Sequence, residues 1–185
     1  PILGPAPVNA AMASAAVFPA AHFARWESKE PVPFQVTPDG RVWGMAAGDE
    51  CFRDGRTGGT KCEKYTRDPD PKMANFHTGT ATLDNGDVIR VGALTCANLH
   101  ASIRMSADQR RQHHENSSTV WAKVIAWNDA KGRLCVSGSV VPGLDEKTLG
   151  QVAGLPISVE LWPIRGVRAN TLVGAHTVVS PAWPV

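Results

Sequence analysis

The chain has 185 residues and a mass of 19.7 kDa, enough for one domain with a sizeable core and too little for two ordinary domains and a tail. Hydrophobic residues make up 43% and charged residues 19%, which excludes a disordered chain. Lys and Arg number 19 against 17 Asp and Glu. A net charge of +2 is too even to advertise nucleic acid, and no run of about 18 apolar residues offers a membrane-spanning helix.

Residues 1–24 carry no Asp, Glu, Lys or Arg. The segment lacks a basic leader, and Pro5, Pro7 and Pro19 break its apolar run, so residues 1–25 read as an extended arm and not as a secretory signal. The arm is Ala- and Pro-rich without periodicity. It has no core pattern of its own and is expected to dock on something else, leaving residues 26–185 as a single domain. Residues 32–47 predict a hairpin with Asp39-Gly40 at its turn, and residues 48–71 a long polar loop. Residues 78–95 predict a second hairpin, whose Asn85-Gly86 suits a type I′ turn with two positive φ angles.

A short helix is expected over 106–113, with Ser106 as N-cap, Asp108 in its first turn and Arg110-Arg111 near its end. Residues 118–127 alternate as a strand, with Val120, Ala122, Val124 and Ala126 on one face. Residues 129–132 turn the chain, and 133–141 return. A second helix follows over 144–153, closed by Gly154, and then strands over 155–162 and 171–179. Strands arranged as hairpins, not in βαβ alternation, predict a mainly β (α+β) domain. Its antiparallel, barrel-like sheet would carry two short helices.

None of the four cysteines, Cys51, Cys62, Cys96 and Cys135, forms a CxxC, which speaks against a zinc ribbon. Cys51 and Cys62 flank the loop CFRDGRTGGTKC and would pair only in an oxidising compartment; otherwise all four are ordinary thiols. Cys135 falls inside an apolar strand and reads as core. No P-loop, GxGxxG, HExxH or GxSxG is present. The densest histidine cluster is His113-His114-Glu115-Asn116, for which no second cluster offers metal ligands. A nucleophile–base reading needs a Ser or Cys brought near one His, and spacing alone does not choose among the serines.

A resemblance does choose. Residues 113–141, HHENSSTVWAKVIAWNDAKGRLCVSGSVV, resemble the hairpin of phage prohead proteases in which a His leads into a strand, a turn with Asp/Glu and Gly follows, and a second strand returns. In that family a helix then precedes a strand bearing the Ser nucleophile. Here the helix is LDEKTLGQVAG and the strand LPISVELWPI, with Ser158 in the matching place. The chain is more similar still to the capsid maturation proteases of actinobacterial phages. The matching stretches are PFQVTPDGRVWG after Trp26, FHTGTATLDNGDVIRVGALT with the His100-Ala101 step, and LVGAHTVVSPAWPV, so the resemblance covers roughly residues 26–185.

The resemblance implies a herpesvirus assemblin-like fold and a serine endopeptidase that processes capsid and scaffold proteins during head assembly. Ser158 would be the nucleophile and His113 the general base, with an imidazole nitrogen within about 3.5 Å of the Ser158 hydroxyl. The third member would be His100 first, His176 second. No cofactor or metal is implied. The partners would be the major capsid protein or scaffold of a phage head, with a homo-oligomer also compatible, and no membrane or direct nucleic-acid contact is expected. The location would be the prohead or virion capsid assembled in the bacterial cytoplasm. Two departures stand out: the relatives show Ser-Gly-Asp-Trp where this chain has Ser158-Val159-Glu160-Leu161, and a His where Met45 follows Trp43-Gly44. Together with the charge-free arm, the altered nucleophile strand supports an alternative: a catalytically inactive capsid decoration or minor capsid protein that keeps the protease fold.

Overall fold

The structure is a computed structural model that describes residues 16–48, 51–53, 62–96, 106–114, 119–163 and 169–177. In chain order the elements begin with β1 (Val17–Phe18), a 3-10 turn (Ala20–Phe23), β2 (Gln35–Val36), β3 (Arg41–Ala47), β4 (Cys51–Arg53) and β5 (Cys62–Lys64). There follow β6 (Gly79–Leu83), β7 (Val88–Thr95), α1 (Ala107–His114), β8 (Val120–Asn128) and β9 (Leu134–Val140). The chain then forms α2 (Glu146–Ala153), β10 (Ile157–Pro163) and β11 (Asn170–Thr177). The domain is mainly β, as expected.

Three hairpins are built on one turn. In each, the first turn residue accepts from the Gly three positions on and donates its own N–H to the carbonyl of the residue after that Gly. The sets are Thr37/Gly40/Arg41, Leu83/Gly86/Asp87 and Asp129/Gly132/Arg133. Gly40, Gly86 and Gly132 have φ of 84°, 87° and 82°. This is the type I turn closed by a left-handed Gly bulge. It corrects the type I′ expectation at Asn85-Gly86, because Asn85 is not in the positive-φ region and only Gly86 is. The Asn85 carbonyl oxygen of the side chain instead accepts from Asp87 N–H at 3.0 Å, a local bond that suits the right-handed turn.

Hairpin pairing runs β2-β3-β9-β8-β7, after which β7 joins both β6-β1 and β11-β10. The sheet is mixed: β11 runs parallel to β7 and β1 parallel to β6, while the remaining ladders are antiparallel. It does not close, which corrects the barrel-like expectation. β3 already pairs at Val42 and Trp43 with both β9 and β2, so β10, which approaches it, finds no free edge there. The long loop expected over 48–71 contains the ribbon β4-β5, in which Cys51 opposes Lys64 and Cys62 opposes Arg53, so the two cysteines are not cross-strand partners.

Both helices are capped as their sequences direct. Ser106 Oγ accepts from Gln109 N–H at 3.2 Å and Gln109 Oε1 accepts from Ser106 N–H at 2.8 Å, a reciprocal capping box. Asp145 caps α2, accepting from Thr148 N–H at 2.8 Å and Thr148 Oγ1 at 2.6 Å. The main core gathers Val42, Leu94, Trp121, Val124, Leu134, Val136, Ile157, Val159, Leu172 and Ala175, each side chain contributing about 1.5–3 kcal/mol if large and fully buried.

A satellite core decides the fate of the expected arm. Phe18 and Phe23 are buried with Ala81, Leu83 and Val91, and their rings meet edge-on at 6.1 Å. Asp84 N–H donates to Phe18 O, Ser137 Oγ donates to His22 O, and Trp26 Nε1 donates to Val136 O. Residues 16–24 therefore dock on their own domain, so a boundary at 25/26 cuts through a packed cluster; residues 1–15 lie outside the described residues.

Candidate functional site

Strand alternation separates the two faces of β10, β11 and β7. Val159, Ala175 and Leu94 stand opposite one another across the three strands and enter the main core. One residue along, Ser158, His176 and Thr95 form the next transverse row, so their side chains share the opposite face. All three are buried. Directly opposed residues carry Cβ atoms about 4.5–5.5 Å apart, so the His176 imidazole lies beside the Ser158 hydroxyl's strand position. Thr95 Oγ1 is hydrogen-bonded to His176 Nδ1.

Two further groups complete the cluster. Glu160, two residues after Ser158 and on its face, is buried, and its Oε2 lies 3.6 Å from His176 Nε2. Its Oε1 accepts from Trp162 Nε1 at 2.6 Å. A bulge between Glu160 and Leu161 shifts the register just beyond the cluster. From α1, His113 brings its ring edge-on to His176, with centroids 6.3 Å apart and planes at 63°. His176 thus faces Ser158 across the β10–β11 ladder and meets the His113 ring from α1, while His100 and Glu115 lie outside the described residues. Val159 and Leu161, the side chains that could have filled the nucleophile's place, belong to the core side.

His22 and His77 are structural. His22 Nδ1 is bonded to Ser139 Oγ at 3.1 Å and fastens the 3-10 turn to β9. His77 donates Nδ1–H to Lys72 O at 2.7 Å and accepts Ala126 N–H on Nε2 at 2.8 Å, which defines its neutral tautomer; burial holds its imidazole below the usual value. Burial disfavours the thiolate at both described cysteines. Burial pushes Cys135 up to about 12, and burial also raises Cys96. Among the described residues no group of three His, Cys, Asp or Glu side chains could hold a metal ion.

A cleft of about 390 Å³ is lined by Arg25, Arg67, Asp68, Pro69, Pro71, Trp127 and Asn128. It lies at the far end of β8 from the Thr95 row, roughly 20 Å along the strand, and shares no residue with the Ser–His cluster. Its Asp68 is an anchor: Oδ2 accepts from Thr171 Oγ1 at 2.9 Å and Leu172 N–H at 2.8 Å, and Oδ1 from Asp70 N–H at 2.9 Å.

Sequence reasoning missed Glu160 and Thr95. Glu160 had a signal: Ser158 and Glu160 alternate with Ile157, Val159 and Leu161, marking a strand with one apolar and one polar buried face. Thr95 had none, because its neighbour in the site is supplied by a parallel pairing 81 residues away in the chain. No family model, no curated protein and no solved structure matches the chain.

Proposed function

We propose that this protein is a serine endopeptidase of the phage capsid maturation type, with Ser158 as nucleophile, His113 as general base and His176 as the ring that orients the base. The observation that supports this reading is that His176 stands opposite Ser158 on a buried polar face of β10 and β11 and packs against the half-buried His113 ring from α1. Isolated core serines and histidines have no need of each other, whereas a serine hydroxyl becomes nucleophilic at neutral pH only with a neutral imidazole to accept its proton.

In the proposed cycle, Ser158 Oγ attacks the scissile carbonyl carbon as its proton passes to the imidazole of His113. The C–N bond then breaks, the imidazolium protonates the leaving amine, and water hydrolyses the acyl-serine by the same base. Backbone N–H groups beside β10 would have to stabilise the oxyanion. Capsid and scaffold proteins are the proposed substrates and the prohead the proposed site of action, both resting on the sequence resemblance. The decoration-protein alternative still has the altered nucleophile strand and residues 1–15 of the charge-free arm, which lie outside the described residues, while residues 16–24 pack on this chain.

The test is co-expression with the cognate capsid and scaffold proteins. The wild-type chain should cleave them and Ser158→Ala should not; because Ser158 is buried, the lost hydroxyl should cost about 1–3 kcal/mol of stability. Undiminished cleavage by Ser158→Ala overturns the assignment.

A further inference from the structure

We infer that Glu160 is a positioning residue that holds His176 in its Nε2–H tautomer and, through it, sets the geometry of the Ser158–His113 pair; this rests on the peptidase reading above. Three observations carry it. Glu160 is buried on β10, an expensive place for a carboxylate without a task. Its Oε1 is pinned by the Trp162 indole N–H at 2.6 Å, which fixes the carboxylate and turns Oε2 toward His176 Nε2, 3.6 Å away. The other ring nitrogen of His176 is bonded to the Thr95 hydroxyl.

For a neutral ring, a carboxylate at one nitrogen and a hydroxyl at the other favour one proton assignment. A carboxylate facing Nε2 repels a bare lone pair and attracts an N–H. Nε2 therefore carries the proton, Nδ1 is bare, and Thr95 donates its O–H to it. The ring is hydrogen-bonded at Nδ1 and faces the carboxylate at Nε2 across 3.6 Å, a proximity longer than a hydrogen bond, so a flip or a change of tautomer gives up the Nδ1 bond and the attraction at Nε2. His113 packs edge-on against this ring. When Ser158 gives up its proton, positive charge develops on His113 beside His176, and the Glu160 carboxylate behind that ring stabilises it. Glu160 touches neither substrate nor the reacting atoms. Sequence neighbours alone would not have suggested the chain Trp162–Glu160–His176–His113.

The experiment is 15N NMR of histidine-labelled full-length protein, with labelling by a fluorophosphonate probe run in parallel. Wild type should show His176 as the Nε2–H tautomer. Glu160→Gln should lose that bias, and its phosphonylation, in which the Ser158 Oγ–P bond forms as fluoride leaves, should slow about 10- to 100-fold in the rate at saturating probe with little change in half-saturation, short of the up to ~10⁴-fold that loss of a general base carries. Glu160→Asp, which keeps the charge, should recover part of the rate. Trp162→Phe, which keeps Glu160 but frees it, should fall between Glu160→Gln and wild type. An Nδ1–H tautomer in wild type overturns the inference without needing any variant to fold. Wild-type labelling that Glu160→Gln matches at full rate overturns the positioning role alone. Wild type that never labels overturns the peptidase reading itself, whatever the spectrum shows.

Discussion

Removing the Asp68 side chain should unfasten the start of β11 and cost far more than a surface substitution. Asp68 is buried, and each of its three contacts comes from a donor: the Asp70 and Leu172 backbone N–H groups and the Thr171 hydroxyl, whose own oxygen accepts from Asn75 Nδ2 at 3.2 Å. In Asp68→Ala the Leu172 N–H and the Thr171 hydroxyl are left without an acceptor. Each orphaned buried donor costs about 1–3 kcal/mol, and the lost bonds were made to a charge, so the total is about 3–5 kcal/mol. At roughly 2–4 °C per kcal/mol for a chain of this size, the melting temperature should drop by roughly 6–20 °C. Asp68→Asn should cost less, about 1.5–3 kcal/mol, because one oxygen still accepts while the amide nitrogen faces a donor. Urea denaturation of the two variants beside wild type measures both numbers. A loss below about 1 kcal/mol in Asp68→Ala, or an Asn variant worse than the Ala one, would refute the donor accounting.

Gly138→Ala should destabilise by about 3 kcal/mol or more, since its Cβ would sit 2.0 Å from Lys123 O and 2.6 Å from Val124 Cα across the β8–β9 ladder; a melting temperature within a degree of wild type would contradict this. Phe18→Ala should cost about 3–5 kcal/mol by opening the satellite core, and near-neutral unfolding free energies would show that the arm is not part of the fold. His77 makes stability depend on pH. Its folded value is depressed, so as pH falls below the unfolded value of about 6.5 the unfolded chain takes up a proton first, and stability declines until pH passes the folded value. His77→Gln should flatten that part of the curve, and an unchanged slope over pH 5–7 would remove the histidine from the account.

Local structure was legible wherever the cause is local. The three hairpins, Ser106 before α1 and the apolar alternation of β8 follow from turn glycines, a capping hydroxyl and period-two patterning, all of which act within a few residues. The turn type at Asn85-Gly86 was misread because the dipeptide also fits the bulged turn, and the side chain of Asn85 bonds locally in the latter. Ser158 and His113 came from a resemblance. Strand polarity would have suggested Glu160.

Long-range pairing was decided only in three dimensions. The open edge of the sheet depends on β2 occupying β3, a two-residue ladder too short to leave a periodic signal. Docking of Phe18 and Phe23 on Leu83 and Val91 depends on a parallel contact between Val17–Phe18 and β6, which an aperiodic Ala/Pro segment does not announce. The Ser158–His176–Thr95 row requires β11 to lie between β10 and β7, a parallel placement beside β7 that no turn prescribes. Sequence specified which residues alternate and where the chain turns, because those are short-range steric facts. Which strands meet, and hence which serine faces which histidine, was settled by the burial of apolar faces across the whole domain, a sum that no local window contains.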